Sequence, residues 1–309
     1  MTHRILITEF MDEAALELLA GCAVRYEPAL HGDRDALLAA AADVDALIVR
    51  NQTAVDEAVL AAAPKLRAVG RLGVGLDNID LDACAARNIA VLPATGANAV
   101  SVAEYVIGTA MVLLRGAYFA TEAVAAGDWP RGKLSAGGEI FGKTLGLVGF
   151  GTIAAAVAVR AKALGMGVSA YDPHRPADDA AWSGVARETN LRALLAAADV
   201  ISLHVPLTAE TRNLIGAAAL AGMKPSAVLI NTARGGIVDE AALVAALKDG
   251  WLAGAALDVF AAEPLKAEAG RMFDGVPNLI LTPHVAGVTT ESNVRVSAIT
   301  AENVLRALG

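Results

Sequence analysis

The stretch that opens at Thr144 and closes at Asp172 limits the fold of this chain more than any other. An apolar run, Leu145–Val148, leads into Gly149-x-Gly151; an Ala-rich helical segment follows to Leu164; a second apolar run, Val168–Tyr171, ends on Asp172. This is a strand, a tight turn, a helix and a parallel strand with an acid at its end. Gly149 permits the turn, Gly151 lets the backbone approach a pyrophosphate, and the helix N-terminus offers N–H groups and the positive end of a dipole. Ala154 stands at the third glycine position and still allows close helix–strand packing. Asp172 is placed to accept hydrogen bonds from an adenosine ribose and to repel a 2′-phosphate, which predicts NAD rather than NADP.

The remainder of the chain repeats the same grammar. Strands are predicted at Ile5–Thr8, Val24–Tyr26, Ala46–Arg50 and Leu66–Arg71, with helices from Asp12, Asp33 and Asp56. After the dinucleotide stretch they are predicted at Val200–His204, Val228–Asn231, Ala253–Leu257 and Leu279–Leu281. Strands alternating with helices require crossovers, hence parallel sheets covered on both faces. The fold class expected is α/β, with two Rossmann-like doubly wound parallel-sheet domains and a cleft between them. Ser101 with Glu104 reads as a capping box that starts a long helix running toward Ala126. The boundaries drawn are 1–99 plus 286–309 for a substrate-binding domain and 100–285 for a nucleotide-binding domain, with the amphipathic Ser292–Leu308 returning to the first.

Composition narrows the class. Hydrophobic residues make up 55% and charged residues 19%, enough apolar material for a dry core. The net charge of −8 argues against a nucleic-acid surface. Cys22 and Cys84 form no C-x-x-C, so neither a disulfide framework nor a metal site is indicated. The N-terminus carries Glu9, Asp12 and Glu13 and is not a signal peptide, and the apolar region Val102–Ala120 is broken by Glu104 and Arg115. A cytoplasmic protein with no membrane partner is expected.

Three strand ends carry candidate chemistry: Arg234 in N-T-A-R-G-G, Glu263 in F-A-A-E-P and His284 in T-P-H-V-A-G. In a parallel sheet those carboxyl ends share one crevice. Alone, each is more simply a turn cap, a solvated acid or a buried histidine. Together they supply a guanidinium fork for a carboxylate, an imidazole that can move a hydroxyl proton near neutrality, and a carboxylate to stabilise the imidazolium. Asp258 and Thr232 are placed toward the far end of the cofactor, with Val205-Pro206 along the same path. In the first domain, Arg50-Asn51 and Gly73-Val74-Gly75 follow predicted strands, where N–H groups and a guanidinium can hold a carboxylate.

The motifs G-R-L-G-V-G-L-D-N-I-D, G-L-V-G-F-G-T-I-A, S-L-H-V-P-L-T, N-T-A-R-G-G-I-V-D-E, A-L-D-V-F-x-x-E-P and T-P-H-x-A-G stand in this order along essentially the whole chain. In this the chain resembles the D-isomer-specific 2-hydroxyacid dehydrogenases. The resemblance implies a small 2-hydroxy/2-keto acid as substrate, NAD as cofactor, and a homodimer formed through the NAD-binding domains. It implies that Arg234 binds and polarises the substrate and that Glu263 pairs with the acid/base His284. It places Val74 and Gly75 on the substrate, and Thr152, Ile153, Asp172 and Gly287 by the cofactor. Val74 departs from the usual hydroxyl residue. The phosphoglycerate dehydrogenase branch is most similar, although the chain ends at Gly309 with no appended regulatory domain expected. Short members include sulfolactate dehydrogenases, whose second anion Arg50, Arg71, Arg131 or Lys133 could meet. Phosphoglycerate, sulfolactate, hydroxypyruvate or glyoxylate, and a simpler acid such as lactate all remain open. So does a different class, an NAD(H)-binding regulatory protein of this fold without turnover.

Overall fold

The computed structural model describes residues 2–309, and the apolar runs form two sheets in which every pairing is parallel. The first contains β1 (Arg4–Ile7), β2 (Ala23–Tyr26), β3 (Ala46–Val49), β4 (Ala68–Arg71) and β5 (Ala90–Pro93), in the order β2-β1-β3-β4-β5. The second contains β6 (Thr144–Val148), β7 (Gly167–Tyr171), β8 (Ala186–Glu188), β9 (Val200–Leu203), β10 (Val228–Asn231), β11 (Gly254–Leu257) and β12 (Leu279–Leu281). Its order is β12-β11-β10-β9-β6-β7-β8. The central strands β3, β9, β10 and β11 are buried at every residue, as strands covered on both faces must be.

Each sheet has one point where the winding reverses, at β1/β3 in the first and β6/β9 in the second. In open α/β sheets the crevice at such a point is where ligands bind. Helices enter where short acids satisfy first-turn N–H groups: Asp12, Asp33, Asp56, Asp80 and Asp239 each accept from the residue two or three positions on. Losing such a cap costs about 1 kcal/mol.

The chain divides into two compact units, residues up to Asn98 with Val288–Gly309, and Ala99–Gly287. Within the first, the terminal helix Thr290–Leu308 buries Val296, Ala301 and Val304, Ser297 Oγ accepts from Asp12 N at 3.0 Å, and Arg67 donates to the Leu308 carbonyl at 3.0 Å.

The long helix corrects the sequence expectation at both ends. It spans Ala99–Arg115, so Ser101 lies buried inside it and is not its cap. Burying Ala99 extends the helix backward past the capping-box motif. At Gly116 the backbone turns left-handed, φ 65°, and the chain bends by 65° into Ala117–Ala125 instead of continuing toward Ala126. No single helix among the described residues is long and apolar enough to cross a membrane.

Candidate active site

At the β6/β9 reversal, two glycines serve opposite needs. Gly149 has φ 86°, and a Cβ there would stand 2.7 Å from the His204 carbonyl oxygen and 2.9 Å from Val205 Cγ1. The turn itself therefore demands glycine. A Cβ on Gly151 would meet nothing within 4 Å, so no protein atom demands glycine there. Gly151 is the N-cap of the helix Thr152–Ala163 and no side chain caps that end. An open cradle, an uncapped helix N-terminus and exposed Thr152 fit the pyrophosphate of a dinucleotide. Asp172 ties the crevice together: Oδ2 accepts from Phe150 N at 2.9 Å, and Oδ1 from His174 N at 3.0 Å and Arg175 N at 3.2 Å. The carboxylate sits at the end of β7, where a ribose diol would find it. Half-buried Val205 and exposed Pro206 follow directly after β9, beside Gly149.

Three adjacent strands, β10, β11 and β12, deliver the chemistry-bearing side chains. Glu263 and His284 meet directly: Glu263 Oε2 lies 2.7 Å from His284 Nδ1. A carboxylate only accepts, so Nδ1 carries the hydrogen and Nε2 is the nitrogen left for proton transfer. Glu263 Oε1 accepts from Phe260 N at 2.9 Å, which fixes the acid in its loop. His284 occupies the left-handed region at φ 55°, uncommon for a side-chain-bearing residue, and half of its side chain is exposed.

The Arg234 loop packs against this pair's loop. A Cβ on Gly235 would fall 1.6 Å from the Phe260 carbonyl oxygen, so only glycine permits the approach. Half-buried Arg234 donates from Nη1 to the Ala233 carbonyl at 2.6 Å. The Thr232 hydroxyl is buried without a hydrogen-bond partner among the described residues, an acceptor and donor left for a ligand. Gly287 closes the segment that follows His284.

Two residues whose bracing role the sequence does not display hold these loops. Asn231, 1% exposed, donates from Nδ2 to the Arg234 carbonyl at 3.0 Å and accepts from Ala233 N at 3.1 Å. Asp258, also 1% exposed, accepts from Thr282 Oγ1 at 2.6 Å and from Val285 N and Ala286 N at 2.8 Å each. Its carboxylate thus shapes the turn that presents His284. A polar residue closing a wholly apolar strand was the signal for both. His204, at the corresponding end of β9, is different: its Nε2 lies 2.9 Å from Ser202 Oγ, and burial pushes the imidazole down to about 4.

Most of the remaining sequence candidates lie in the first unit. Arg50 and Asn51 follow β3, and Arg50 Nη2 donates to Asn293 Oδ1 at 2.7 Å. Val74 and Gly75 follow β4 and are half-buried. Val49 pairs with Arg71, so Arg50 and Arg71 come at the ends of neighbouring strands. Arg71 donates from Nη1 to the Leu72 carbonyl at 2.7 Å. Arg131 and Lys133 belong to the second unit, exposed on a short helix, Arg131–Leu134.

The family described as D-isomer specific 2-hydroxyacid dehydrogenase, NAD binding domain, matches residues 107–286. Over 306 residues the chain is 60% identical to (S)-sulfolactate dehydrogenase of Chromohalobacter salexigens, covering 99% of this chain and 98% of that one. It is 38% identical over 307 residues to hydroxypyruvate reductase of Thermotoga maritima, covering 99% of each. The D-3-phosphoglycerate dehydrogenase of Methanocaldococcus jannaschii is 40% identical over 305 residues, and there the match spans 99% of this chain but 57% of the relative. Among solved structures, the TT0316 protein from Thermus thermophilus has a TM-score of 0.87 at 34% identity, covering 99% of this chain and 96% of that one.

Proposed function

The chain belongs to the D-isomer specific 2-hydroxyacid dehydrogenase family, NAD-dependent oxidoreductases, and from that premise we propose that its substrate is a 2-hydroxy acid bearing a second anion, sulfolactate foremost. The observation that carries the choice of substrate is the half-buried Arg50 guanidinium directly after β3 at the β1/β3 reversal, with Arg71 ending the neighbouring strand β4. With Arg234 on the C1 carboxylate, an acid that carries one carboxylate presents Arg50 with no second anion; a sulfonate at the far end does. The 60% identity to a sulfolactate dehydrogenase supports the same reading.

Bound NAD supplies the hydride acceptor. Arg234 holds the C1 carboxylate and polarises the C2 oxygen. His284 Nε2 takes the hydroxyl proton during oxidation and returns it to the ketone oxygen during reduction. Glu263, fixed by Phe260 N, stabilises the imidazolium formed in between. Asn51, Val74 and Gly75 complete the substrate contacts with Arg50. Gly149, Gly151, Thr152, Ile153 and Asp172 hold the adenosine diphosphate, while Val205, Pro206, Thr232, Asp258 and Gly287 line the way to the nicotinamide beside His284.

The assembly we infer is a cytoplasmic homodimer formed through the NAD-binding unit. Its support is the apolar surface beyond Gly116, where Tyr118, Phe119, Val124 and Trp129 are exposed, Trp129 to 78%.

The test is reduction of sulfopyruvate, phosphohydroxypyruvate, hydroxypyruvate, glyoxylate and pyruvate with NADH. A charge-assisted contact of about 1.5–3 kcal/mol predicts kcat/KM for sulfopyruvate about 10–100-fold above that for pyruvate. Arg50→Ala should erase most of that ratio. Equal kcat/KM for the two in wild type refutes the substrate assignment.

A further inference from the structure

Four consecutive backbone N–H groups in the first unit converge on one buried side chain. Glu9 lies two residues beyond β1 and is 2% exposed. Its Oε1 accepts from Arg50 N at 2.8 Å and Thr53 N at 2.9 Å; its Oε2 accepts from Gln52 N at 3.0 Å and Asn51 N at 3.3 Å. Burial on its own raises the carboxyl, but the N–H groups of Thr53, Arg50 and Gln52 outweigh it and hold the group below the usual carboxylate range. Asn78 closes the other side of the loop, donating from Nδ2 to the Arg50 and Thr53 carbonyls at 3.2 and 2.6 Å.

Two consequences follow for Arg50. Its backbone is pinned by Glu9, and its guanidinium is pinned separately by Asn293 Oδ1 on the terminal helix. Burial pulls the Arg50 guanidinium down and the Glu9 charge pushes it back up, so a half-buried cation keeps a compensating anion beneath it. The loop N–H groups, which could otherwise have received a ligand's anion, are already filled. Recognition of an anion at this reversal therefore falls to the guanidinium.

Resting on the substrate reading above, we propose that Glu9 and Asn293 are positioning residues that hold Arg50 ready for the substrate's second anion. Neither touches the ligand. Glu9 sets where the loop runs and Asn293 sets where the fork points, so the ordering is complete before binding.

The experiment is calorimetric titration of the NADH-loaded protein, which holds no hydride acceptor, with sulfolactate and with lactate, for wild type, Glu9→Gln, Asn293→Ala, Arg50→Ala and each double variant with Arg50→Ala. Gln keeps the shape of Glu9 but turns an NH2 toward N–H donors. We expect the affinity ratio of sulfolactate to lactate to fall about tenfold in Glu9→Gln and in Asn293→Ala, and neither change to lower it further once Arg50 is Ala. Equal loss for both ligands, or loss that adds to that of Arg50→Ala, assigns Glu9 a merely structural role and overturns the proposal. Should Glu9→Gln fail to fold, the Asn293→Ala ratio decides: no change in it refutes the positioning of the fork. Wild type that binds sulfolactate without turning it over when supplied with NAD overturns the functional reading and leaves this comparison readable.

Discussion

The two winding reversals use the same topological device and fill it differently. At β6/β9 the crevice is left open: a Cβ on Gly151 would meet empty space, and the helix behind it has no side-chain cap. At β1/β3 the protein supplies its own carboxylate, and four loop N–H groups close on Glu9. The first arrangement leaves backbone dipoles unpaired by any side chain, as the proposed dinucleotide site requires. The second satisfies the backbone internally and leaves a half-buried side-chain cation, Arg50, held by Asn293. On the function proposed above, one sheet would keep a general cofactor site and the other a site that selects.

If that division holds, variants near the second sheet should fail on every substrate, and variants in the first should change preference. The largest loss expected is for His284→Ala, which removes the proton-transfer nitrogen: kcat should drop about 10²–10⁴-fold on sulfopyruvate and pyruvate alike, measured as NADH consumption. Arg50→Ala should raise KM for sulfopyruvate about 10–100-fold with a much smaller change for pyruvate, and a matching loss on both would erase the distinction. Glu263→Gln keeps an acceptor near Nδ1 but removes the charge that stabilises the imidazolium, so kcat should fall about tenfold on sulfopyruvate and pyruvate alike.

The glycines sharpen the comparison at smaller scale. Gly149→Ala forces a left-handed alanine, about 1–2 kcal/mol, against the His204 carbonyl and should lower Tm by several degrees. Gly151→Ala should leave Tm in place and weaken NADH binding, read by fluorescence titration. A fall in Tm there would mean that the cradle serves packing and not a ligand.

The smallest effect concerns His204, which flanks the same reversal. Its folded value of about 4 lies below the ordinary 6.5 because of burial. Above about pH 6.5 neither state holds the proton; as pH falls through the window down to about 4, the unfolded chain takes up a proton that the folded chain refuses, and stability declines. Urea midpoints at about pH 7 and about pH 5 should therefore separate in wild type more than in His204→Gln.

Much of this was legible in the chain itself, and the reasons differ from residue to residue. Strands β10 and β12 fall on the predicted residues because they are short, wholly apolar runs bounded by turns. Strands β5 and β8 were not legible. β5, A-V-L-P, is an apolar run, but at a sheet edge and closed by Pro93 it reads equally as loop, and β8 is the polar three-residue edge A-R-E. The Glu263–His284 pair could be anticipated because both lie just past strand ends that a parallel sheet brings side by side. Glu9 could not, since its bonds reach 41 to 44 residues away and an acid in a loop just past a strand normally reads as solvated. Asn293, bonded to Arg50 across 243 residues, is hidden for the same reason. Ser101 misled because a local capping pattern was outweighed by burial of the alanine before it.

Turnover beside binding, in one sample of wild-type protein, tests the account most directly. NADH should bind, and its consumption with sulfopyruvate should follow and be lost in His284→Ala. NADH that binds while sulfopyruvate and every other 2-keto acid go unreduced would contradict it and return the chain to a sensing role.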